Sequence, residues 1–448
     1  MLTSNNLKSN QRLSWVAIVL CLLLSACADR AKLNKNEDTG TNPVLPDPPG
    51  NLIPTVNVAK AVGWPSGTQP EPANGLAVNA FATSLDHPRW LYVLPNGDVL
   101  VAETNAPAKP DDGGGITAWV TRRMMKKAGS AVPSADRITL LRDADGDGRA
   151  ELQSIFLENL TSPFGVALVD DWLYVANTDA LVRFRYTDGA TRLDSTGERL
   201  AELPGGPINH HWTKNVIANA DGSKLYITVG SNSNIAENGM ENENMRAAIL
   251  EFEMATGQLR VFASGLRNPN GLAWEPYSGE LWTTVNERDL LGSDLVPDYM
   301  TAVQDGGFYG WPYSYYGQHI DERVQPQKPE LVASALVPDY ALGAHTAPLG
   351  LVFYEHTELP ERFTDGAFVA QHGSWNRKPH SGYQVIFIPF KFGEPHGKPV
   401  VALSGFLNEQ NQALGRPTGL AVSNDGALLV ADDVGNIIWR VSKMQATP

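Results

Sequence analysis

The sequence predicts an all-β fold, a six-bladed β-propeller spanning residues 75–448. Three observations carry this prediction. Gly (41 residues) and Pro (31 residues) are abundant, while charged residues make up only 19% of the 448-residue chain. That mix suits many short strands joined by turns. One unit recurs six times: a Pro- or Gly-bearing turn, then two apolar stretches around a tight Gly/Asp/Asn turn. Stretches with a helical apolar period are scarce.

The six units are "HPRWLYVLPNGDVLVAET" at 87–104, "SPFGVALVDDWLYVANT" at 162–178, "HWTKNVIANADGSKLYITVGS" at 211–231, "RNPNGLAWEPYSGELWTTVNE" at 267–287, "APLGLVFYEHTELPERFTDGAFVAQHG" at 347–373 and "RPTGLAVSNDGALLVADDVGN" at 416–436. Each reads as a hairpin, and "PNGD", "NADG" and "SNDG" are strong turns because Asn and Gly accept positive φ. Units begin roughly 50–80 residues apart, enough for a blade of about 40–50 residues plus loops. "ALVRFRY", "AAILEFEM" and "QVIFIPF" supply further strands between them. A blade cannot bury both faces alone, so the units stack around an axis, and six close a ring. "LAVNAFAT" at 76–83 is predicted to complete the blade that ends in "NIIWRVS". A β-sandwich, or two all-β domains, accounts less well for a repeat spread evenly along the chain.

The net charge of −14 repels phosphate backbones and speaks against a nucleic-acid partner. The two cysteines, Cys21 and Cys27, both lie near the N-terminus. Residues 1–26 read as a lipoprotein signal peptide: Lys8 and Arg12, an apolar run too short to remain as a spanning helix, then Leu24-Ser25-Ala26-Cys27, which resembles a bacterial lipobox. Cys27 would be lipidated, leaving neither a free thiol nor a disulfide. The protein is then expected to be exported and held in the cell envelope, with Ala28 favouring the outer membrane facing the periplasm. Membrane contact is expected through the lipid anchor only. Residues 27–74 are polar and Pro-rich, without an apolar period, and are expected to form a disordered tether.

In a propeller the innermost strands line the axis, so polar residues at the unit starts converge on one face. Those starts carry Arg89, His210, His211, Arg267, Asn268, His345 and Arg416. Loops after the second strands add Glu103, Asn105, residues 231–234, Glu287, Asp289, His372, Arg377, Lys378, Asp432 and Asp433. A pocket lined by these groups suits a polar, anionic small molecule.

Several of these stretches resemble the glucose/sorbosone dehydrogenases that use pyrroloquinoline quinone, and most closely their sorbosone branch. The resemblance rests on "LRNPNGLAWEP" at 266–276, "TVNERDLLGSDLVPDY" at 284–299, "GGFYGWPYSYYG" at 306–317, "GAHTAPLGLVFY" at 343–354, "QHGSWNRKPHSGYQVIFIPF" at 371–390 and the last unit. It implies a six-bladed propeller that oxidises an aldose or aldehyde by hydride transfer to the quinone. Residue by residue, His211 matches the base that takes the proton from the anomeric hydroxyl, and strand alternation favours it over His210. Arg267 and Asn268 match the pair beside the quinone oxygens. Arg377, Lys378 and Arg416 would hold the cofactor's carboxylates, with Arg89 as a further candidate, and Trp311 or Trp375 would stack on its rings.

Calcium is implied as a second cofactor, with ligands sought among Glu287, Asp289, Asp294 and Asp298. Two departures stand out. Arg288-Asp289 replaces a Gly-Pro whose carbonyls bind calcium in the glucose branch. Ser231 replaces an Asp that orients the base, so an acid is sought at Glu237, Glu241 or Glu243. "DADGDGRAE" at 143–151 begins like an EF-hand loop, yet Ser154 stands where the twelfth-position acid belongs, and it reads as a hairpin turn with weak calcium affinity.

The chain has no C-x-x-C-H haem motif, so electrons are expected to leave to an external acceptor. Two other classes share such a fold: a calcium-dependent lactonase-type hydrolase, which needs a carboxylate-rich centre, and a non-catalytic propeller that binds a carbohydrate or a protein.

Overall fold

The computed structural model describes residues 29–50, 55–107 and 123–445. The predicted signal peptide, Cys21 and Cys27 lie outside the described residues.

The propeller is present, and each predicted unit forms the two inner strands of one blade. The innermost strands are Pro88–Val93, Val166–Val169, Val216–Ala218, Pro269–Trp274, Pro348–Tyr354 and Pro417–Val422. Each touches the innermost strands of both neighbouring blades, which closes a ring of six. All blade pairings are antiparallel, and each blade has four strands in its main sheet. The turn glycines behave as their sequence demands: Gly97, Gly222 and Gly426 have φ of 92°, 70° and 77°. Closure also follows expectation. Leu76–Ala82 is the outermost strand of blade 6 and pairs with Ile437–Lys443.

Alternating apolar residues give each blade two sticky faces, and these fuse into a core at every interface. Between blades 5 and 6, for example, Phe363, Phe368 and Phe387 pack with Leu428 and Val430. Between blades 2 and 3, Leu181 and Tyr174 meet Leu225 and Ile227. Stability thus comes from packed seams around the ring, without cross-links between blades.

Within the expected tether at 27–74, the described residues 29–50 and 55–74 are not disordered. The described part packs on the propeller. Thr39–Gly40 pairs with Tyr340–Ala344 at the edge of blade 4, and Glu71–Pro72 pairs with Val400–Ser404 at the edge of blade 5. Asp38 is buried and accepts the Ala344 N–H at 2.8 Å. Trp64 sits edge-on to Phe406 and Trp439 and donates to Asp432. The segment needs no apolar period because it borrows unpaired backbone groups at two sheet edges and adds one aromatic anchor. Removing residues 29–64 should therefore speed amide exchange at Ser293 and Ala344, which lose their Asp29 and Asp38 acceptors, while the inner strands stay protected. Unchanged exchange at those two amides would refute this role.

Candidate functional site

The site lies on the face where the innermost strands begin. A cavity of about 160 Å³ opens there between blades 3, 4 and 5, walled by His211, Arg267, Asn268, Asp298, His345 and Trp375 among others. A second cavity of about 430 Å³ lies beside it, with Arg89, Asn209, His210 and Trp212 in its wall. The first is smaller than usual for a cofactor-sized ligand, and the second falls within that range. The adjacent His210 and His211 lie in a bend ahead of the innermost strand and line different cavities, with their rings edge to face at 4.6 Å.

His211 is held by its Nδ1 side. That nitrogen lies 2.8 Å from the Ser231 carbonyl oxygen, which can only accept, so Nδ1 carries the proton. The Ser231 hydroxyl lies 3.1 Å from the same nitrogen and donates its own proton to the Ser233 carbonyl at 2.6 Å. The Nε2 lone pair is thereby left for the cavity. Burial, then the neighbouring His210 and Arg267, push the imidazole well below its usual range and keep it neutral. The orienting acid sought among Glu237, Glu241 and Glu243 makes no contact with His211. Glu243 acts one step away, accepting from the Ser233 hydroxyl at 2.5 Å and the Asn232 N–H at 2.8 Å, and so fixes the loop that carries Ser231.

Gly230 lies between His211 and Asn268. A Cβ built there would stand 2.3 Å from Asn268 Oδ1 and 2.5 Å from His211 Cβ. Gly230→Ala should displace both side chains and cost about 1–3 kcal/mol of stability by overpacking, with a larger proportional loss of ligand binding. Thermal unfolding and titration with cofactor measure the two effects separately.

Arg267 is 3% exposed, and its fork is fully engaged. It donates to the Glu287 carbonyl at 2.6 Å, to Asn234 Oδ1 at 3.0 Å and to Asp289 Oδ2 at 2.7 Å. Asn268, half-buried beside it, has an Oδ1 with no partner. The sequence-predicted pair is therefore brought together on the cavity wall.

The other predicted cofactor residues are not. Arg377 turns to the Ser293 carbonyl at 2.9 Å and lies 3.5 Å from Asp294. Lys378 is exposed to solvent. Trp311 is buried and donates to the Asn234 carbonyl at 2.9 Å, a packing role. Arg416 lies over the Tyr383 ring at 5.2 Å. It belongs to a separate polar centre of blades 5, 6 and 1, where buried Asp433 accepts from Arg89 and from His372 Nε2 at 2.9 Å. Burial pushes His372 down to about 4, and the carboxyl of Asp433 is held low against its own burial by His372, His87 and Arg89. Nε of Arg89 and of Arg416 are both buried without a partner.

The four predicted calcium ligands do not form a metal site. Glu287 accepts the Arg288 and Tyr316 N–H groups, and Asp294 accepts N–H groups of Lys32 and Leu33. Asp289 is shared by Arg267 and Asn376 Nδ2. Asp298 accepts the Glu287 and Ala347 N–H groups at 2.8 Å each, and burial pushes its carboxyl up to about 8. Each carboxylate accepts from at least one internal donor, and Asp294 Oδ1 alone among them is buried without a hydrogen-bond partner. Arg288 faces away from the cavity, 2.8 Å from Asp321 but outside hydrogen-bond geometry. Among the described residues, the grouped metal-ligating side chains are Asp143, Asp145, Asp147 and Glu151, on a surface turn at the opposite end of the strands from the cavity.

A family model described as a domain of unknown function, DUF7133, matches residues 95–374. The chain belongs to this family. A second model, described as TrAA12-like, matches residues 328–444. An uncharacterized protein of Borreliella burgdorferi is 26% identical over 295 residues, covering 63% of this chain and 76% of its own. The aldose sugar dehydrogenase YliI of Escherichia coli is 30% identical over 102 residues, covering 22% of this chain and 26% of its own. Among solved structures, the holo form of the pyranose dehydrogenase PQQ domain from Coprinopsis cinerea superimposes with a TM-score of 0.66 at 20% identity, over 85% of this chain and 100% of that one. At that identity the likeness establishes the fold.

In this member of the DUF7133 family, four groups that matter were not singled out as ligands or clamps from the sequence. Asn234 fixes both Arg267 and the Asp289 N–H. Asn286 and Asn376 line the smaller cavity. Asp433 gathers Arg89 and His372. Their signal was position alone: each follows the second strand of a unit.

Proposed function

We propose that this protein is a quinone-dependent dehydrogenase that oxidises an aldose or an aldehyde using pyrroloquinoline quinone, with an external electron acceptor. The observation that carries the proposal is the cavity wall: a neutral His211 with Nε2 free to accept, beside the fixed Arg267 guanidinium and the unpartnered Asn268 amide. The E. coli and Coprinopsis relatives, named as a sugar dehydrogenase and a PQQ domain, support the same reading. The "HGSWNR" stretch supports the sorbosone-like branch.

The residues fit a planar anion. Arg267 and Arg89 place cations in the walls of the two cavities, and Asn268 stands in the wall of the first with a buried Oδ1 that has no partner. Bound there, the quinone would supply the acceptor for a hydride. The chain's own part is to bind the substrate hydroxyl, to take its proton at His211 Nε2 and to hold positive charge at Arg267 where negative charge develops. Calcium has no place in the proposal, because the carboxylates near the cavity are committed to N–H donors and Arg267. The same commitment weakens a calcium-dependent hydrolase. Cys27 is further read as the lipid-bearing residue, anchoring the protein in the cell envelope.

The test is direct. Pyrroloquinoline quinone added at micromolar concentration should bind, and a panel of aldoses and aldehydes should then reduce a dye. No binding would overturn the proposal.

A further inference from the structure

We infer that the cavity-bearing face of the propeller lies against the lipid surface to which Cys27 is attached, so that contact extends beyond the anchor itself. This rests on the proposed lipidation of Cys27. Two residues after that cysteine, the chain is already docked. Asp29 accepts the Ser293 N–H at 2.6 Å, and its carbonyl accepts from the Thr55 and Ser293 hydroxyls. Two extended residues span about 7 Å. The neighbouring Gly292 carbonyl accepts from His345 Nε2 at 2.8 Å, and His345 walls the cavity. A lipid-bearing Cys27 would therefore be tied within about 7 Å of Asp29, which is docked on Ser293 beside Gly292.

The surface around that point suits a bilayer. Ala31 donates to the Lys378 carbonyl and Asn57 to the Trp375 carbonyl, so the N-terminal segment crosses the loop at 375–378. Exposed there are the cations Arg30, Lys32 and Lys378. Exposed with them are the apolar side chains Val56 (50%), Leu290 (42%) and Trp375 (38%). A basic rim with interfacial Trp and aliphatic groups beside one lipid chain is the pattern of two-signal membrane attachment. The overall charge of −14 opposes contact with anionic lipid at other faces, so the local cations also select the orientation.

The full chain, matured on Cys27 and placed in phosphatidylethanolamine–phosphatidylglycerol vesicles, provides the test. Its remaining native cysteine is the acylated one, so a fluorophore at Leu290→Cys or at Tyr277→Cys labels a single site. Tyr277 lies on the turn after the innermost strand of blade 4, at the far end of the blade. Brominated lipid should quench the probe at 290 and spare the probe at 277, and Arg30→Glu/Lys32→Glu should reduce quenching at 290 without releasing the protein. Mass spectrometry separates the two premises. An unmodified Cys27 overturns the lipidation reading and the orientation with it. An acylated Cys27 with equal quenching at both probes, or stronger quenching at 277, overturns the orientation alone.

Discussion

His211→Ala should lower turnover by about 10²–10⁴-fold, the range for removing a positioned general base, while quinone binding is retained. The tautomer of His211 is the reason. The carbonyl of Ser231 cannot donate, so it fixes the proton on Nδ1 and leaves Nε2 as the basic atom. The pH dependence follows with its sign. Burial and the adjacent His210 and Arg267 disfavour the imidazolium, so His211 stays active as pH falls past 6.5, and the acid limb of the rate profile should lie below that value. Ser231→Asp supplies a carboxylate partner and should move the limb upward by about 1–3 pH units. A limb that stays in place in Ser231→Asp, or an His211→Ala protein that loses the cofactor, would show that His211 positions the ligand and does not take the proton.

What the sequence disclosed and what it hid divide along one physical line. Strand alternation, Asn-Gly turns and the repeat are local, and they specified the six hairpins and the closing strand at 76–82, while His211 and Asn268 were picked out by their place at the unit starts and by the resemblance. Pairings between loops are not local. Whether Asp289 faces a metal or Arg267 depends on where Asn234 and Asn376 arrive from other blades. Arg377 looked like a carboxylate clamp because "HGSWNR" lies in the right loop, yet its guanidinium staples that loop to Ser293. The segment at 29–74 was misread for a related reason. Its partners are backbone edges of blades 4 and 5, and an edge leaves no trace in the side-chain pattern of the strand that covers it.

Arg267→Met should destabilise the protein by about 3 kcal/mol, the low end for breaking a buried ion pair, because Asp289 keeps 20% side-chain exposure. Turnover should fall further, by about 10²–10³-fold, the range for losing one group that stabilises developing charge, here through the fixed charge of Arg267. The two effects have different origins and can be separated. The stability loss comes from the uncompensated charge of Asp289, which keeps only Asn376 as a side-chain donor, and from the Glu287 carbonyl losing its Arg267 donor. Arg267→Met/Asp289→Leu removes the stranded charge, so chemical denaturation should recover part of the loss, with a coupling of about 0.5–3 kcal/mol between the two sites. Turnover should not recover, because the cation beside Asn268 is still missing. A double variant that regains both stability and turnover would mean that Arg267 serves only to tie the loops of blades 3 and 4 together, and that the charge acting on the substrate comes from elsewhere in the cavity wall.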